Sequence, residues 1–536
     1  MGNNSIETDD SNSKKYGWER PVRFKVGTDN FVVIANPAHA VAIWKNSRYL
    51  SAKSITERAA KHLLDLPASV MPFYQADDSG MAAEPRKGSN VPPENRVLYH
   101  QTHSAQKFLA SPYLDLLVDR YQAMLHAALE RLDIGEDDWV EFPDLYQFCQ
   151  LTIARANTEA MMGEKVFELN PSLMEDFWAA KAWAPEYFMG WPRWMVPTAF
   201  AARDKVVKAI RKWHDYAFAH GDHTTTAPED PDWDPVWGSK YVKARQQYML
   251  AMKPLDEHIR SLEDWGFLFG YVVPSVSCCF SLCSLTLKKS ANGNTVPPVY
   301  WFLLEAMRDG KLADRMLDEV KASGYEYTGA VPRRNIKALV DQPLLQSVYS
   351  EVLRLRVSIL QSRVVEFSDI MLPQDPLSTK KKEGQSYNIP QGSYVLIPTD
   401  GLHFNDEAWA RFLPTRSGSL GRKPLSEFDA ERFLTPSLDL EGREGRAEGV
   451  INMDFTQENL AGLWMPFGGG ERMCPGRHLA KIEMLVSFAY LFGRYDMQIA
   501  DEKAGREVVC DRKYAPFSSL PPDRPVKFRM RKRRTA

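Results

Sequence analysis

The chain has 536 residues, of which 44% are hydrophobic and 11% aromatic, so it can bury a large core. Its formal net charge is only −2, with acidic and basic residues interspersed, which argues against a nucleic-acid-binding protein. The six cysteines lack the spacing of a disulfide framework or a zinc site and indicate a reducing compartment.

The first part of the chain is predicted to form a tail and a β-hairpin. Residues 1–16 are polar, and we expect them to be disordered. Apolar and charged residues alternate over 22–26, and a turn leads into the apolar run 31–35, which is the pattern of a hairpin. A helix over 38–45 follows, and the stretch 66–99, rich in proline, glycine and polar residues, is expected to be a long loop.

The stretch 97–132 has the periodicity of a helix. His100, His103 and Lys107 are spaced to share one face of it, and a solvated polar face is the ordinary interpretation of such a group. Helices are also predicted over 144–162 and 200–220.

The connection between those last two helices contains the segment 189–197. It holds two tryptophans, an arginine and two prolines. This composition suits a loop at a lipid interface and equally suits a buried aromatic corner, so both interpretations stay open.

An uncharged stretch covers residues 265–287 and is followed by a pair of prolines. It is long enough to be a transmembrane candidate, but Pro274 and its many serines and cysteines argue against that role. Pro297 and Pro298 lack N–H groups, so the carbonyls four residues earlier lose their helical donors. A groove is therefore predicted beside Thr295, although a threonine within a helix is more often simply packed.

A later helix, beginning at Pro343, carries Glu351 and Arg354 at i,i+3 spacing on one face. An exposed pair at that spacing contributes little to stability. The motif by itself is therefore only moderately informative.

The stretch 467–480 is a glycine-rich loop that brings Cys474 to the start of an apolar helix. Three consecutive glycines let the backbone approach a flat ring closely, and Pro475 fixes its own φ and offers no N–H. Gly476 opens a helix whose N-terminal dipole and free amides favour a thiolate. A lone cysteine is usually a small buried apolar residue, so the thiolate interpretation depends on these neighbours.

Six positions of this loop keep fixed intervals, namely Phe467, Gly470, Arg472, Cys474, Gly476 and Ala480. At every interval they resemble the cysteine-loop signature of the cytochrome P-450 superfamily. The resemblance implies a mainly α fold with small β-sheets, in which a haem b lies between a long central helix and the cysteine loop. It also implies that 17–533 form one catalytic domain, in which 271–287 would be an insertion.

The resemblance further implies the residues that bind the haem. Cys474 would be the axial thiolate ligand of the iron, which favours cleavage of the O–O bond. The other implied contacts are Arg472 and Arg363 to the propionates, Phe467 and Gly476 at the ring, and His100 and Lys107 from the helix whose basic residues meet the propionates.

Two more motifs gain a role from the resemblance. Thr295 and Asn294 match the oxygen-binding groove of the central helix, although an acid is usual where Asn294 stands, which leaves the proton source open. Glu351 and Arg354 match a pair that closes a buried network with Arg432, a network that fixes the cysteine loop against the core.

The implied function is monooxygenation of a small apolar organic molecule with O2 and electrons from NAD(P)H. Fungal members tailor secondary metabolites in this way by hydroxylation or epoxidation. Electrons would come from an NADPH–cytochrome reductase, with cytochrome b5 as a further donor, docking near Arg472, Arg477, His478 and Lys481.

Two rival functions stay open: a haem-thiolate isomerase or dehydratase acting on a peroxide, and a truncated non-catalytic haem-binding product. The resemblance implies the cytoplasmic face of the endoplasmic reticulum membrane. Because no transmembrane anchor is evident in the sequence, a cytoplasmic or peripheral location is the alternative.

Overall fold

The fold is described from a computed structural model over residues 20–51, 53–270, 295–327, 335–373, 386–412, 423–437 and 453–534. Three sequence predictions lie outside these residues: the disordered tail, the insertion at 271–287 and the role of Asn294.

Helices dominate the described part of the chain, as predicted. Local widening to π-helix occurs at Ala59–Leu63 and Cys149–Ile153. The longer α-helices are Pro37–Lys45, Val97–Phe108, Tyr113–Glu130, Ala154–Met162, Leu173–Lys181, Pro197–His220, Lys240–Ala251, Glu257–Gly270, Val296–Arg308, Gly310–Ala322, Pro343–Arg356 and Arg477–Arg494. The shorter ones are Lys53–Arg58, Met71–Ala76, Leu145–Phe148, Lys165–Leu169, Ala184–Met189, Ile336–Val340, Asp400–His403, Asp406–Phe412 and Glu502–Glu507.

The strands form small separate sheets. The largest runs in the order Val22–Val26, Asp29–Val33, Tyr394–Pro398, Val357–Val365 and Phe517–Ser519, and Leu50–Ser51 also pairs with Val357–Val365. A three-stranded sheet joins Tyr495–Ile499, Phe528–Lys532 and Val140–Phe142. The two-stranded sheets pair Trp233–Asp234 with Gly238–Ser239, Ile370–Leu372 with Tyr387–Ile389, and Leu434–Pro436 with Met453–Phe455.

The central helix Val296–Arg308 lies in the middle of the largest apolar core. Every side chain from Val296 to Ala306 is buried. The helix packs against Pro343–Arg356 and Arg477–Arg494, which carry the Glu351–Arg354 pair and follow Cys474 respectively. Because the apolar helix is buried on all sides, its position is fixed relative to the Glu351–Arg354 pair and to Cys474.

The predicted hairpin is present, with Val22–Val26 antiparallel to Asp29–Val33. Its turn is shorter than predicted, because only Gly27 and Thr28 lie between the strands. Gly27 has φ +59°, a conformation that glycine adopts without steric cost.

The helix predicted over 97–132 is interrupted. It becomes Val97–Phe108 and Tyr113–Glu130, with Pro112 immediately before the second helix. A proline offers no N–H and restricts the residue before it, so one continuous helix through Ser111 and Pro112 is disfavoured.

The loop 189–197 is on the surface, so the interpretation as a buried aromatic corner is wrong. Trp194 is 80% exposed and Met195 44% exposed. Arg58 donates to the carbonyl oxygen of Met189 at 3.0 Å, and Arg193 forms ion pairs with Asp65 and Asp204, so the part of the loop before Trp194 is held in place while Trp194 and Met195 project. Among the described helices, none combines the length and apolarity needed to cross a bilayer.

Candidate active site

A cavity of about 400 Å³ lies between the cysteine loop, the start of the central helix and the strand Val357–Val365. Cys474, Thr295 and Arg363 all border it. Val357, Ile359 and Gln361 also line it, as the alternation of a strand requires. The cavity therefore brings together residues that the sequence assigned to one site from motifs far apart in the chain.

The cysteine loop takes its shape from glycine. Gly468 and Gly470 have φ values of +73° and +67°. A Cβ added to Gly469 would lie 2.5 Å from Cδ1 of Trp44, so only glycine lets the loop pack against that ring. The amide of Cys474 donates to the carbonyl oxygen of Phe467 at 3.0 Å and closes the loop.

Cys474 is half-buried and borders the cavity. Burial raises the pKa of its thiol, while hydrogen bonds from the amides of Gly476 and Arg477 and the charge of Arg477 act in the opposite direction. The amides at the helix terminus therefore favour the thiolate, as predicted, but desolvation is the larger effect and raises the pKa of the free thiol overall. A metal cation on the sulfur would deprotonate it outright.

Arg363 and Arg472 line the cavity together. Burial, then the charge of Arg472, lowers the pKa of Arg363 to about 9. Burial, then the charge of Arg86, lowers the pKa of Arg472 to about 10. Within the described ranges, no carboxylate lies within ion-pair distance of either guanidinium, although Arg363 donates to the carbonyl oxygen of Ser362 and lies 5.2 Å from the ring centroid of Trp44.

Two enclosed cations on a cavity wall favour an anionic ligand, since desolvated charges are stabilised by pairing and only the nearby charge of Glu471 raises the pKa of Arg472 among the described residues. A molecule with two carboxylates at one edge and a metal at its centre would meet the two arginines and Cys474 at once. The residues present therefore fit a haem, with Phe467 and Gly476 also on the cavity wall.

Thr295 borders the cavity directly before the central helix. Its carbonyl oxygen accepts a hydrogen bond from the amide of Val299 at 3.2 Å. Pro297 and Pro298 lie in the first turn, where a missing N–H costs little. This differs from the prolines within a helix that the sequence predicted, and the carbonyls at 293 and 294 lie outside the described residues.

The Glu351, Arg354 and Arg432 side chains form one buried ion-pair network. Arg354 donates from Nε to Oε2 of Glu351 at 2.7 Å and from Nη2 to Oε1 at 2.9 Å. Arg432 donates from Nε to Oε1 of the same carboxylate at 2.9 Å. Removing one partner of such a buried network is strongly destabilising, because the remaining charges are left without a counter-charge.

His403 joins this network to the cysteine loop, and no motif in the sequence pointed to it. Its Nδ1 donates to the carbonyl oxygen of Arg354 at 3.0 Å, and its Nε2 accepts from the amide of Met465 at 3.1 Å. Gln361 donates to the carbonyl oxygen of Met465 at 3.2 Å. Both backbone groups of Met465, two residues before the loop, are thus held from the core.

His100 and Lys107 do not reach the cavity, which corrects the sequence prediction. The helix Val97–Phe108 presents Leu98, Gln101, Thr102, Ala105 and Gln106 to the cavity, the opposite face from the basic residues. The ring of His100 instead lies against the carbonyl oxygen of Pro93 and stacks on Tyr248. Lys107 lies over the rings of Phe108 and Tyr113.

The prediction that Arg472 belongs to the docking surface is also wrong, because Arg472 lines the cavity beside Arg363. His478 is exposed at the start of the helix Arg477–Arg494. Lys481 donates to Gln346 at 2.7 Å and is largely enclosed, so burial lowers its pKa to about 8.

Comparison with known proteins agrees with this arrangement. The cytochrome P-450 family model matches residues 291–511. The chain is 28% identical to the cytochrome P-450 monooxygenase fsoE of Humicola fuscoatra, over 97% of this chain and 83% of that protein. It is 28% identical to the monooxygenase efuG of Hormonema carpetanum (97% and 85%) and 26% identical to calL of Penicillium decumbens (95% and 86%). The chain is thus similar to the cytochrome P-450 family over residues 291–511 and to fungal monooxygenases of that family over nearly its whole length.

Proposed function

We propose that the protein is a haem-thiolate monooxygenase that hydroxylates or epoxidises an apolar small molecule, as a tailoring step in secondary-metabolite biosynthesis. The observation that carries the proposal is the cavity on which Cys474, Arg363 and Arg472 meet. Similarity to fungal monooxygenases over nearly the whole chain supports the secondary-metabolite role.

The haem-binding residues follow from this cavity. The sulfur of Cys474 would bind the iron, and Arg363 and Arg472 would neutralise the two propionates. Phe467 and Gly476 would border the ring. When bound, the haem supplies an iron at which dioxygen is reduced and one oxygen atom is transferred to the substrate.

The chain's own contribution to the reaction is positioning, exclusion of water and proton delivery. Leu63, Phe188 and Phe267 give much of the cavity an apolar wall that suits an apolar substrate. The hydroxyl of Thr295 borders the same cavity and can donate a hydrogen bond or hold a water that relays a proton. Asn294 remains a predicted partner in that relay.

Electrons would come from an NADPH–cytochrome reductase, and cytochrome b5 could act as a second donor. Arg477 gives this end of the helix a positive charge that suits an acidic partner, and the exposed His478 beside it, whose pKa is lowered by partial burial, can accept or donate a hydrogen bond there. We place the protein at the cytoplasmic face of the endoplasmic reticulum membrane, with peripheral contact through the exposed tip of the loop 189–197.

The test is reconstitution of the purified protein with a reductase, NADPH and isotopically labelled dioxygen, on extracts of a host that lacks the gene. The proposal predicts a new product with one labelled oxygen atom and a strict requirement for NADPH. A product that forms without dioxygen and NADPH would favour the isomerase or dehydratase. A haem-loaded protein that forms no product under either condition would favour the non-catalytic haem-binding product.

A further inference from the structure

A buried polar cluster interrupts the apolar wall of the cavity. The hydroxyl of Tyr74 donates to Oε1 of Glu263 at 2.5 Å, and Nε2 of Gln101 donates to Oε2 at 3.1 Å. Tyr74, Gln101, Glu263 and the neighbouring Arg245 all line the cavity that holds Cys474. Glu263 is only 5% exposed, so its carboxyl group has been removed from bulk water.

The charge of Arg245 is already matched by a different carboxylate. Its Nη2 donates to Oδ1 of Asp264 at 3.0 Å, and the other oxygen of Asp264 accepts from Gln246 at 2.6 Å and lies 2.9 Å from Nε2 of His214. Arg245 reaches Glu263 only at its backbone carbonyl oxygen, at 3.3 Å. Glu263 is therefore a carboxyl group without a cationic side-chain partner among the contacts of the described residues.

We propose that Glu263 binds a hydroxyl group of the substrate and thereby orients an otherwise apolar molecule in the cavity. Tyr74 and Gln101 are positioning residues, because each fixes one oxygen of the carboxyl group. This inference rests on the proposed function, since it takes the cavity to be the substrate site.

The hydrogen-bond inventory selects the class of ligand. Each oxygen of Glu263 accepts one bond and has a remaining lone pair, so the complementary group on the ligand must be a donor. A carboxylate ligand offers no donor, and its negative charge would be repelled by the carboxylate of Glu263. An ammonium ligand would lie beside the guanidinium of Arg245, which already occupies this wall. A hydroxyl group can donate to Glu263 without placing a second positive charge beside Arg245.

Binding of matched probes to the haem-loaded full chain tests the assignment without reductase or dioxygen. The probes are rigid polycyclic cages, namely adamantane, 1-adamantanol, adamantane-1-carboxylate and the 1-trimethylammonium derivative. Dissociation constants come from the change in the haem absorption spectrum. We expect the alcohol to bind about tenfold more tightly than the hydrocarbon, the scale of one buried hydrogen bond.

Variants locate the preference at Glu263. Glu263→Leu should abolish the tenfold difference between alcohol and hydrocarbon. Glu263→Gln should keep most of that difference, because an amide oxygen still accepts a hydrogen bond. Tyr74→Phe should reduce the difference. Thr102→Val is the matched control, since it removes a hydroxyl from the same cavity and should leave the difference unchanged. An unchanged ferrous–CO spectrum in each variant excludes general misfolding, and Glu263→Gln and Tyr74→Phe carry the test if Glu263→Leu does not fold.

Several results would overturn the inference: equal affinities for alcohol and hydrocarbon, tightest binding of the carboxylate or ammonium probe, a preference that persists in Glu263→Leu and Tyr74→Phe, or no spectral change with any probe. Failure of the proposed function has a different signature. In that case the probes would bind with the predicted preference, yet no labelled oxygen would enter a product.

Discussion

At the scale of single residues, the cavity wall carries ionisable side chains whose burial is unfavourable when no ligand is bound. The thiol of Cys474 has a raised pKa, and Arg363 and Arg472 are desolvated cations with lowered pKa values. A ligand with a central metal ion and two carboxylates would relieve all three penalties at once. The free-energy cost of burying these three groups without a ligand thus indicates which kind of ligand the cavity binds.

Replacement of Cys474 by serine should abolish the thiolate-type absorption band of the ferrous–CO complex, because a neutral alcohol cannot donate charge to iron as a thiolate does. The measurement is a CO difference spectrum of the purified variant. Cys510→Ser is the control, since Cys510 contacts Arg356 and does not border the cavity. A Cys474→Ser protein that retains the band would show that another residue binds the iron.

Thr295→Ala should separate the monooxygenase from the peroxide-rearranging rival. Loss of a positioned proton donor typically costs on the order of a hundredfold in the step that needs the proton. The variant should still bind substrate and accept electrons, but release more hydrogen peroxide and less product per NADPH consumed. An isomerase would form product at an unchanged rate, because its oxygen arrives already bound in the substrate.

At the scale of secondary-structure elements, the cysteine loop is fixed by contacts between distant elements. His403, from the short helix Asp400–His403, accepts from Met465 before the loop and donates to Arg354 in the helix Pro343–Arg356. The acceptor role of Nε2 requires the neutral ring. Burial, then the charge of Arg354, lowers the pKa of His403 to about 3, so the protonated ring is excluded from this junction.

This junction predicts a loss of stability in acid. Below pH 6.5 the unfolded chain protonates His403 while the folded protein does not, so stability is complete above that pH and falls towards about pH 3. The slope attributable to one such group is at most about 1.4 kcal/mol per pH unit. The urea concentration at the midpoint of unfolding of the haem-loaded protein should therefore decrease as the pH is lowered from 6 to 4.

His403→Gln should be less stable at pH 7.5 and lose less stability over the same acid range, because glutamine does not titrate. His220→Gln, a change at an exposed histidine, is the matched control and should keep the wild-type pH dependence. If His403→Gln and the wild type show the same slope, the acid sensitivity comes from other groups.

At the scale of the whole molecule, exposed apolar side chains indicate how the protein meets its surroundings. Trp194 and Met195 project from a loop that is held at Met189 by Arg58 and at Arg193 by Asp204. Tryptophan favours the boundary between headgroups and acyl chains, so this tip suits shallow insertion into a bilayer.

Vesicle co-sedimentation should test this contact. The double change Trp194→Ser and Met195→Ser is expected to weaken binding to phosphatidylcholine vesicles several-fold, because it removes exposed apolar area at the tip. Met371→Ser is the control, since Met371 is a methionine that is 55% exposed elsewhere on the molecule. Equal binding of wild type and double variant would assign any membrane contact to another surface.

The sequence by itself indicated the family resemblance, the mainly helical class and the motif residues of the candidate site. Cys474, Arg472 and the Glu351–Arg354 pair could be found because each belongs to a short motif with fixed spacing, which local backbone geometry enforces. The hairpin and most helices were predictable for the same reason, since periodicity reports which face is buried.

The tertiary structure decided which side chains meet. The sequence could not show that His100 and Lys107 turn away from the cavity while Gln101 enters it, because helical periodicity gives faces but not their orientation towards a neighbour. His403 binds Met465 across 62 residues, and Gln101 meets Glu263 across 162 residues. Contacts between segments so far apart depend on how the helices pack, so the junction at His403 and the hydroxyl site at Glu263 emerge only when the chain is folded.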